Sequence, residues 1–314
     1  MLRRLTARIL QALPVVIIVA VLTFLLMHLL PGDPAVVIAG PEASQAAVER
    51  IRQQLGLDRP LIEQLFLWFS NLAHGNLGRS LLLNQSVLQS VGERLPVTLS
   101  LTLVSMAITI PVGIGLGVLA AWYRNTWLDS LVMLVALAGV SIPSFWISIL
   151  SVILFSVTLH WVPTSGYIPI AYGVLPWLSA LIQPAAALAL FQLGFLARMT
   201  RSAMLDVLDQ DYIRTARAKG VGEWGTIAKH AFRNTLIPVV TVTGIILSLS
   251  IGGSVVIEQV FALPGVGRLV VQAILARDYP LVQGTMLLLG FAFVIVNLAV
   301  DVIYTWVDPR VRYG

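Results

Sequence analysis

Side chains able to do covalent or metal chemistry are scarce in this sequence. Cysteine is absent, so a thiolate nucleophile, a thiolate metal site and a disulfide are all excluded, and cysteine usage says nothing of redox compartment. The four histidines, His28, His74, His160 and His230, show no His-x-x-x-His spacing, and none has an adjacent acid to orient it as a base. There is no Gly-x-Ser-x-Gly either, so hydrolase chemistry has no visible apparatus. A phosphate-cradling loop needs glycine leading to a terminal lysine, but the two lysines, Lys219 and Lys229, follow Ala218 and Ala228. The sequence therefore predicts no catalytic, metal-binding or cofactor-binding residue, and any driving energy must come from a partner or a gradient. Ion-driven carriers place carboxylates near the bilayer midplane. Here only Asp301, near the inner end of the last span, and Glu258, where the fifth span meets the outside, come close, and span ends also tolerate charge for structural reasons.

The elements that must position these residues are membrane helices. Of 314 residues, 58 % are hydrophobic and 11 % charged, against about 25 % charged in a typical soluble protein. The net charge of +5 would suit a nucleic acid, but the charges crowd between long uncharged stretches, so lipid is the expected partner and nucleic acid is not. Uncharged intervals run over 9–32, 95–123, 130–197, 234–257 and 279–300, each long enough for the roughly 20 residues of a spanning helix. The third holds two spans, because His160, Pro163, Thr164, Ser165, Gly166, Tyr167 and Pro169 form a polar, turn-forming cluster in its interior, with Trp161 and Trp177 suited to a membrane interface. The expected fold is all-α, with six transmembrane helices at about 9–31, 96–123, 130–158, 176–200, 235–257 and 281–306. With the N-terminus inside, thirteen Lys and Arg face the cytoplasm and seven lie outside, so both termini are expected to be cytoplasmic. The run from Ile9 to Leu30 exceeds the about 7 to 15 apolar residues of a secretory signal, so the first span is expected to stay attached.

Segment 32–95 reads as a helical cap outside the membrane. Val48, Ile51, Gln54 and Leu55 share a helix face that Gly56 stops, Pro60 opens a second helix from Leu61 to about Leu72, and a third is expected from about Ser86 to Glu93. The cytoplasmic loop 201–234 reads as two helices. The first is expected to start among Asp206, Asp209 and Asp211 and to end at Arg214, Arg217 and Lys219, with Gly220 as its terminator. In the second, Trp224, Ile227, Ala228, Ala231 and Phe232 form a stripe that must pack against something. Within the spans, Pro111, Gly113, Gly115 and Gly117, and then Pro238, Gly244, Gly252 and Gly253, allow either close packing or a hinge.

Particular stretches narrow the reading. They are Leu30-Pro31-Gly32-Asp33-Pro34-Ala35, Leu55-Gly56-Leu57-Asp58-Arg59-Pro60-Leu61, Gly75-Asn76-Leu77-Gly78-Arg79-Ser80 and Glu93-Arg94-Leu95-Pro96. After them come Tyr212-Ile213-Arg214-Thr215-Ala216-Arg217-Ala218-Lys219-Gly220, Arg233-Asn234, Leu263-Pro264-Gly265-Val266-Gly267-Arg268, Arg277-Asp278-Tyr279-Pro280 and Asp308-Pro309-Arg310. On these residues the whole chain resembles the B-type permease subunit of the bacterial dipeptide, oligopeptide and nickel ABC importers. The resemblance implies that 201–234 is the Glu-Ala-Ala loop that enters a groove of an ATPase subunit, with Tyr212, Arg214, Thr215, Ala216, Lys219, Gly220 and Trp224 as its coupling residues. This copy departs from the general motif, since Arg214 stands at the Glu position, Thr215 at the first Ala, and Arg233 where a proline would fall. Asn76 stands where this branch often has Asp.

The resemblance further implies a type I importer in a bacterial inner membrane, built with a second six-span permease, two ATPase subunits that carry ATP and Mg, and an extracytoplasmic solute-binding protein. Its solutes would be di- and oligopeptides, with nickel chelates, glutathione or opine- and sugar-like solutes on the same scaffold as alternatives. Gly252, Ser254, Glu258 and Gln259 are the candidates for the translocation path. Two other readings stay open at this point: a homo-oligomeric channel and an intramembrane enzyme without recognised motifs.

Overall fold

Uncharged runs of this length leave the backbone only one way to satisfy its polar groups in lipid, and the chain is helical nearly throughout. The computed structural model describes residues 2–29, 33–40, 42–80 and 82–307. In chain order the helices are α1 (Leu2–Leu29), α2 (Pro34–Ala39), α3 (Gln45–Gln54), α4 (Leu61–Ala73), α5 (Val87–Trp122), α6 (Trp127–Ser141) and α7 (Ser144–Ser151), which widens into a π-helical turn at Val152–Thr158. Then follow α8 (Val174–Leu208), α9 (Asp211–Ala218), α10 (Glu223–Gly225), a second π turn (Thr226–Ala231), α11 (Phe232–Val260), α12 (Val266–Leu275) and α13 (Tyr279–Val307). Among the described residues the only β pairing is an isolated bridge between Arg79 and Ser86. Four helices among these residues are long and apolar enough to cross a membrane, or five if α6 and α7 count as one span. Leu30, Pro31 and Gly32 and the Asp308-Pro309-Arg310 stretch lie outside the described residues, as do the side chains of Arg3, Arg4, Arg8 and Asp301.

Two expectations are corrected. The third helix of the cap is not separate, because the backbone runs without interruption from Val87 through Pro96 and Pro111 to Trp122. Proline in an apolar helix is tolerated where neighbouring groups re-satisfy the freed carbonyl. The span expected over 130–158 is broken, with α6 and α7 meeting at a bend of 101°. Its cause is local: Ile142 is extended (ψ 128°) ahead of Pro143, the conformation that a following proline ring imposes.

The chain divides into two compact units. One comprises residues up to Pro96 together with Pro264–Ile295. Its core gathers Val87, Val91, Val266, Leu269, Leu281 and Val282. Asp278, 1 % exposed, ties this unit together. Its Oδ2 accepts from Ser80 Oγ (2.6 Å) and the Leu82 amide (3.1 Å), while Oδ1 caps α13 through the Leu281 amide at 3.1 Å. The cap helices follow their sequence signals. Ser44 caps α3, and Gly56, at φ +65°, closes it through Leu57 N–H to Arg52 O at 3.0 Å.

Asp33 caps α2 through the Ala35 amide at 2.9 Å and is also paired with Arg52 of α3. The guanidinium, chiefly by its hydrogen bond, holds the Asp33 carboxyl below the ordinary 3.8. A carboxyl depressed on folding stabilises above its unfolded value and loses that contribution as pH falls through the folded one. Amide-exchange protection of α2 is therefore expected to stay level from pH 8 to about 5 and to drop only below about 4, with the acid step absent in Asp33→Asn.

The second unit comprises Val97–Leu263 and residues from Val296 onward. In it α8 packs against α6, α7 and α11. Small residues set the approach: a Cβ on Gly117 would meet Thr200 Cβ at 2.5 Å and the Ala197 carbonyl at 2.6 Å, and one on Gly244 would overlap Val300. Close packing thus accounts for these two glycines, whereas Gly115 and Gly252 face open space. A buried polar cluster crosses the unit. Gln192 on α8 accepts from Ser105 (3.2 Å) and Thr109 (2.9 Å) of α5, and donates to Ser250 of α11 at 2.8 Å. Gln192→Ala would strand two buried hydroxyls, Ser105 and Thr109, while Ser250 keeps its bond to the Ile246 carbonyl at 2.7 Å, and each stranded group costs about 1–3 kcal/mol. A loss of about 2–3 kcal/mol is expected for the detergent-solubilised protein, read by thermal unfolding.

Candidate functional site

Among the described residues no group of three or more His, Asp or Glu is placed to hold a metal, so the site is sought where charged and aromatic side chains gather without a ligand cage. That place is the loop after α8. The α8 helix ends at Leu208, so Asp206 belongs to its last turn and does not open the next helix. The α9 helix starts at Asp211, keeps an acid in its first turn and Arg217 in its last, and so complements its own dipole. It closes as a Schellman turn, with Gly220 at φ +82°, Gly220 N–H to Arg217 O at 2.9 Å and Val221 N–H to Ala216 O at 3.2 Å.

One side of α9 is spent on anchoring. Ile213 and Ala216 are buried, and Ile213 joins Ala121 of α5, Met204 of α8, and Ile227 and Ala231 of the π turn in one apolar cluster. The stripe anticipated in the second loop helix packs here through Ile227, Ala231 and Phe232, while Trp224 stays 67 % exposed with its ring 5.4 Å from that of Trp122. The turn between α9 and α10 is clamped by a fork-to-fork pair, Arg217 Nε and Nη2 to Glu223 at 2.9 and 3.2 Å. Asn234 donates to Tyr212 Oη at 3.0 Å and to the His230 carbonyl at 2.8 Å, fixing the phenol of α9 against the start of α11.

The remaining side of α9 is open. Tyr212 is 44 % exposed, and Arg214, Thr215 and Lys219 are exposed as well. Beside it lies a shallow cleft of about 160 Å³ between Trp122, Leu205, Asp209 and Arg217. Of the seven residues singled out for coupling, six are thus at the surface, while Ala216 is turned into the chain's own core. Gly220 has nothing within 4 Å of where a Cβ would stand, so here its positive φ, and no close approach, requires glycine.

Two anchors in this region were not visible in the sequence. Asp129, 5 % exposed in the first turn of α6, receives Arg201 of α8 in a bidentate pair, Nε and Nη2 both at 2.6 Å, and also accepts from the Asn125 amide at 3.1 Å. Arg124 reaches Asp209 at 3.2 Å. In the sequence Asp129 serves only to bound an uncharged interval and Asp209 reads as part of the next helix's start, and a pairing across 72 positions leaves no local spacing signal.

The path candidates divide between two faces of α11. Ser254 and Glu258 are fully buried, with Ser254 Oγ on the Ile251 carbonyl at 2.9 Å and Glu258 Oε1 accepting from Thr98 Oγ1 of α5 at 2.6 Å. Gly252 and Gln259 lie on the exposed face with Ile245, Leu249 and Val256. Only that second face is open to a solute or a partner chain.

Residues 113–313 match the family described as binding-protein-dependent transport system inner membrane component, and residues 1–102 match its N-terminal membrane component. A protein of Brucella abortus (strain 2308) named as a peptide transport system permease is 65 % identical over 306 residues, 98 % of each chain. The glutathione transport system permease protein GsiC of Escherichia coli K12 is 44 % identical over the full length of both. Among solved structures, the inward-facing MetNI methionine ABC transporter superposes with a TM-score of 0.60 at 21 % identity, over 70 % of this chain and 97 % of that one, a likeness of fold.

Proposed function

Because the chain belongs to the binding-protein-dependent transport system inner membrane component family, as an ABC importer permease of the peptide, oligopeptide and nickel group, we propose that it is one of two permeases lining the import path for short peptides. On this reading α1 is the first of six spans, both termini are cytoplasmic, and residues 32–95 lie on the far side of a bacterial inner membrane. The relatives' names support a peptide solute, and glutathione, itself a tripeptide, falls within the same size class. A solute-binding protein would deliver the peptide, and two ATPase subunits would hold ATP and Mg.

The observation that carries this reading is the construction of α9. The sequence has no nucleotide loop of its own, yet it keeps a short helix rigid on one side and open on the other. Since Ile213 is packed against α5, α8 and the turn leading into α11, a push on the open side moves three long helices together rather than bending a loop. Coupling of this kind needs no chemistry in the permease. Gly252 and Gln259, on the open face of α11, are the path residues that best fit this arrangement, with Ser254 and Glu258 shaping the helix behind them.

The test is to solubilise the tagged chain from its native membrane, identify the proteins that stay bound, and reconstitute them in vesicles. A second permease and nucleotide-hydrolysing subunits are expected, with peptide uptake that requires ATP and the binding protein. Recovery of this chain alone, together with passive flux through it, would replace the importer with a channel.

A further inference from the structure

Helix α4 carries large apolar side chains that nothing in its unit covers: Ile62 is 83 % exposed and Phe66 74 %. At 100° per residue these two stand on one side of the helix with Phe69 and Ala73, whereas Glu63, Ser70, Asn71 and His74 gather on another. Its contacts with α1 fix its level. Trp68 stacks on Phe24 with ring centroids 6.0 Å apart, and Gln64 Oε1 meets His28 Nε2 at 3.0 Å. Phe24 lies five residues, or about 7.5 Å, before α1 ends at Leu29, and the next charge in the chain after Arg8 is Asp33. Trp68 is therefore docked alongside the apolar run of α1. No charged residue occurs from Gln64 to Gly78, so nothing on α4 beyond its first turn demands bulk water.

We infer that α4 is an in-plane interfacial helix, seated on the lipid of the outer leaflet with Ile62 and Phe66 among the acyl chains and Glu63, Asn71 and His74 toward water. The three sides of the helix then have three different neighbours: α1 along Gln64 and Trp68, lipid along Ile62 and Phe66, and solvent along Glu63 and Asn71. Interfacial helices bury their apolar face about 5–10 Å into the headgroup and acyl boundary, which agrees with docking one to two turns inside the end of α1. The occupant is thus bilayer lipid. The inference goes beyond the import function but shares its reading of α1 as a span.

The absence of cysteine makes the test direct, because a single introduced cysteine is the only site a thiol-specific spin label can take. Ile62→Cys, Phe66→Cys, Leu22→Cys on α1 and Gln53→Cys on α3 would be labelled in the full chain and reconstituted in phosphatidylcholine and phosphatidylglycerol vesicles. Collision with oxygen and with a water-soluble nickel chelate would then be measured. At 62 and 66 the nickel collision rate is expected to be about fivefold or more below that at 53, with oxygen collision about twofold or more above it, as for a shallow lipid site. Nickel access at 62 and 66 equal to that at 53 would overturn the inference, as would loss of access to both reagents, which means cover by protein. Position 22 separates the two readings: in lipid while 66 is in water, the interfacial helix fails alone; both in water, the span fails.

Discussion

Asp129→Ala is expected to cost the protein about 3 kcal/mol or more, a larger loss than any exposed pair in the chain can produce. The side chains of Asp129 and Arg201 are 7 % and 25 % exposed, and their two parallel hydrogen bonds join the first turn of α6 to α8. Deleting the carboxylate leaves a guanidinium in a site built to neutralise it, and that stranded charge, more than the lost attraction, sets the cost. Arg201→Lys should also lose stability, because an ammonium cannot make both parallel bonds. The double replacement Asp129→Leu with Arg201→Met removes both charges and should recover most of the loss, since a buried pair is often no more stable than apolar residues of like volume. By contrast, Arg124→Ala, which removes a pair half open to water, should change stability by less than about 1 kcal/mol. Thermal unfolding in detergent across these variants checks the order. Single variants as stable as the parent would show that the pair contributes nothing.

What could be read in the sequence was whatever is encoded locally. The uncharged intervals placed the long helices because lipid excludes charge, and the Gly56 and Gly220 terminators were legible because a positive φ selects glycine at a helix end. The α4 helix was found to within about a residue at its C-terminus, since Pro60 and Gly75 punctuate it. Continuity and direction were less legible. Whether the turn at Ser86 starts a short helix or a 36-residue one depends on how Pro96 is accommodated, which periodicity does not report. The 101° bend was carried only by Pro143, and a proline inside a long apolar run reads equally well as a tolerated kink. Burial at the site was least legible of all. Ala216 and Thr215 are small neighbours, yet one is buried and the other exposed, a difference set by the side of α9 on which Ile213 rests against Met204 and Ile227, from distant parts of the chain.

That difference separates two ways of losing transport, and the sharpest prediction rests on it. Arg214→Glu combined with Lys219→Glu reverses two charges on the open side of α9, where neither side chain supports the core. Stability should fall by no more than about 1–2 kcal/mol, from the exposed Arg214–Asp211 pair at 3.4 Å and the acid placed at the C-terminus of α9. ATP-dependent uptake, if α9 meets the ATPase by this face, should fall by a factor of about 100, the effect of the several kcal/mol that like charges cost across an interface. Ala216→Asp should also abolish uptake, but through the fold. It places a carboxylate at a buried position on the side of α9 that Ile213 anchors, and the amount of protein in the membrane should fall with it. Gly220→Val tests the turn between these cases: there is room for the side chain, but φ +82° imposes a strain of about 1–3 kcal/mol, which Gly220→Asn should largely escape. Membrane abundance, co-purification of the ATPase and uptake, measured on the same variants, distinguish the three outcomes. A charge-reversed protein that is abundant, retains its ATPase and transports at the parental rate would show that the open face of α9 is not where the driving subunit docks.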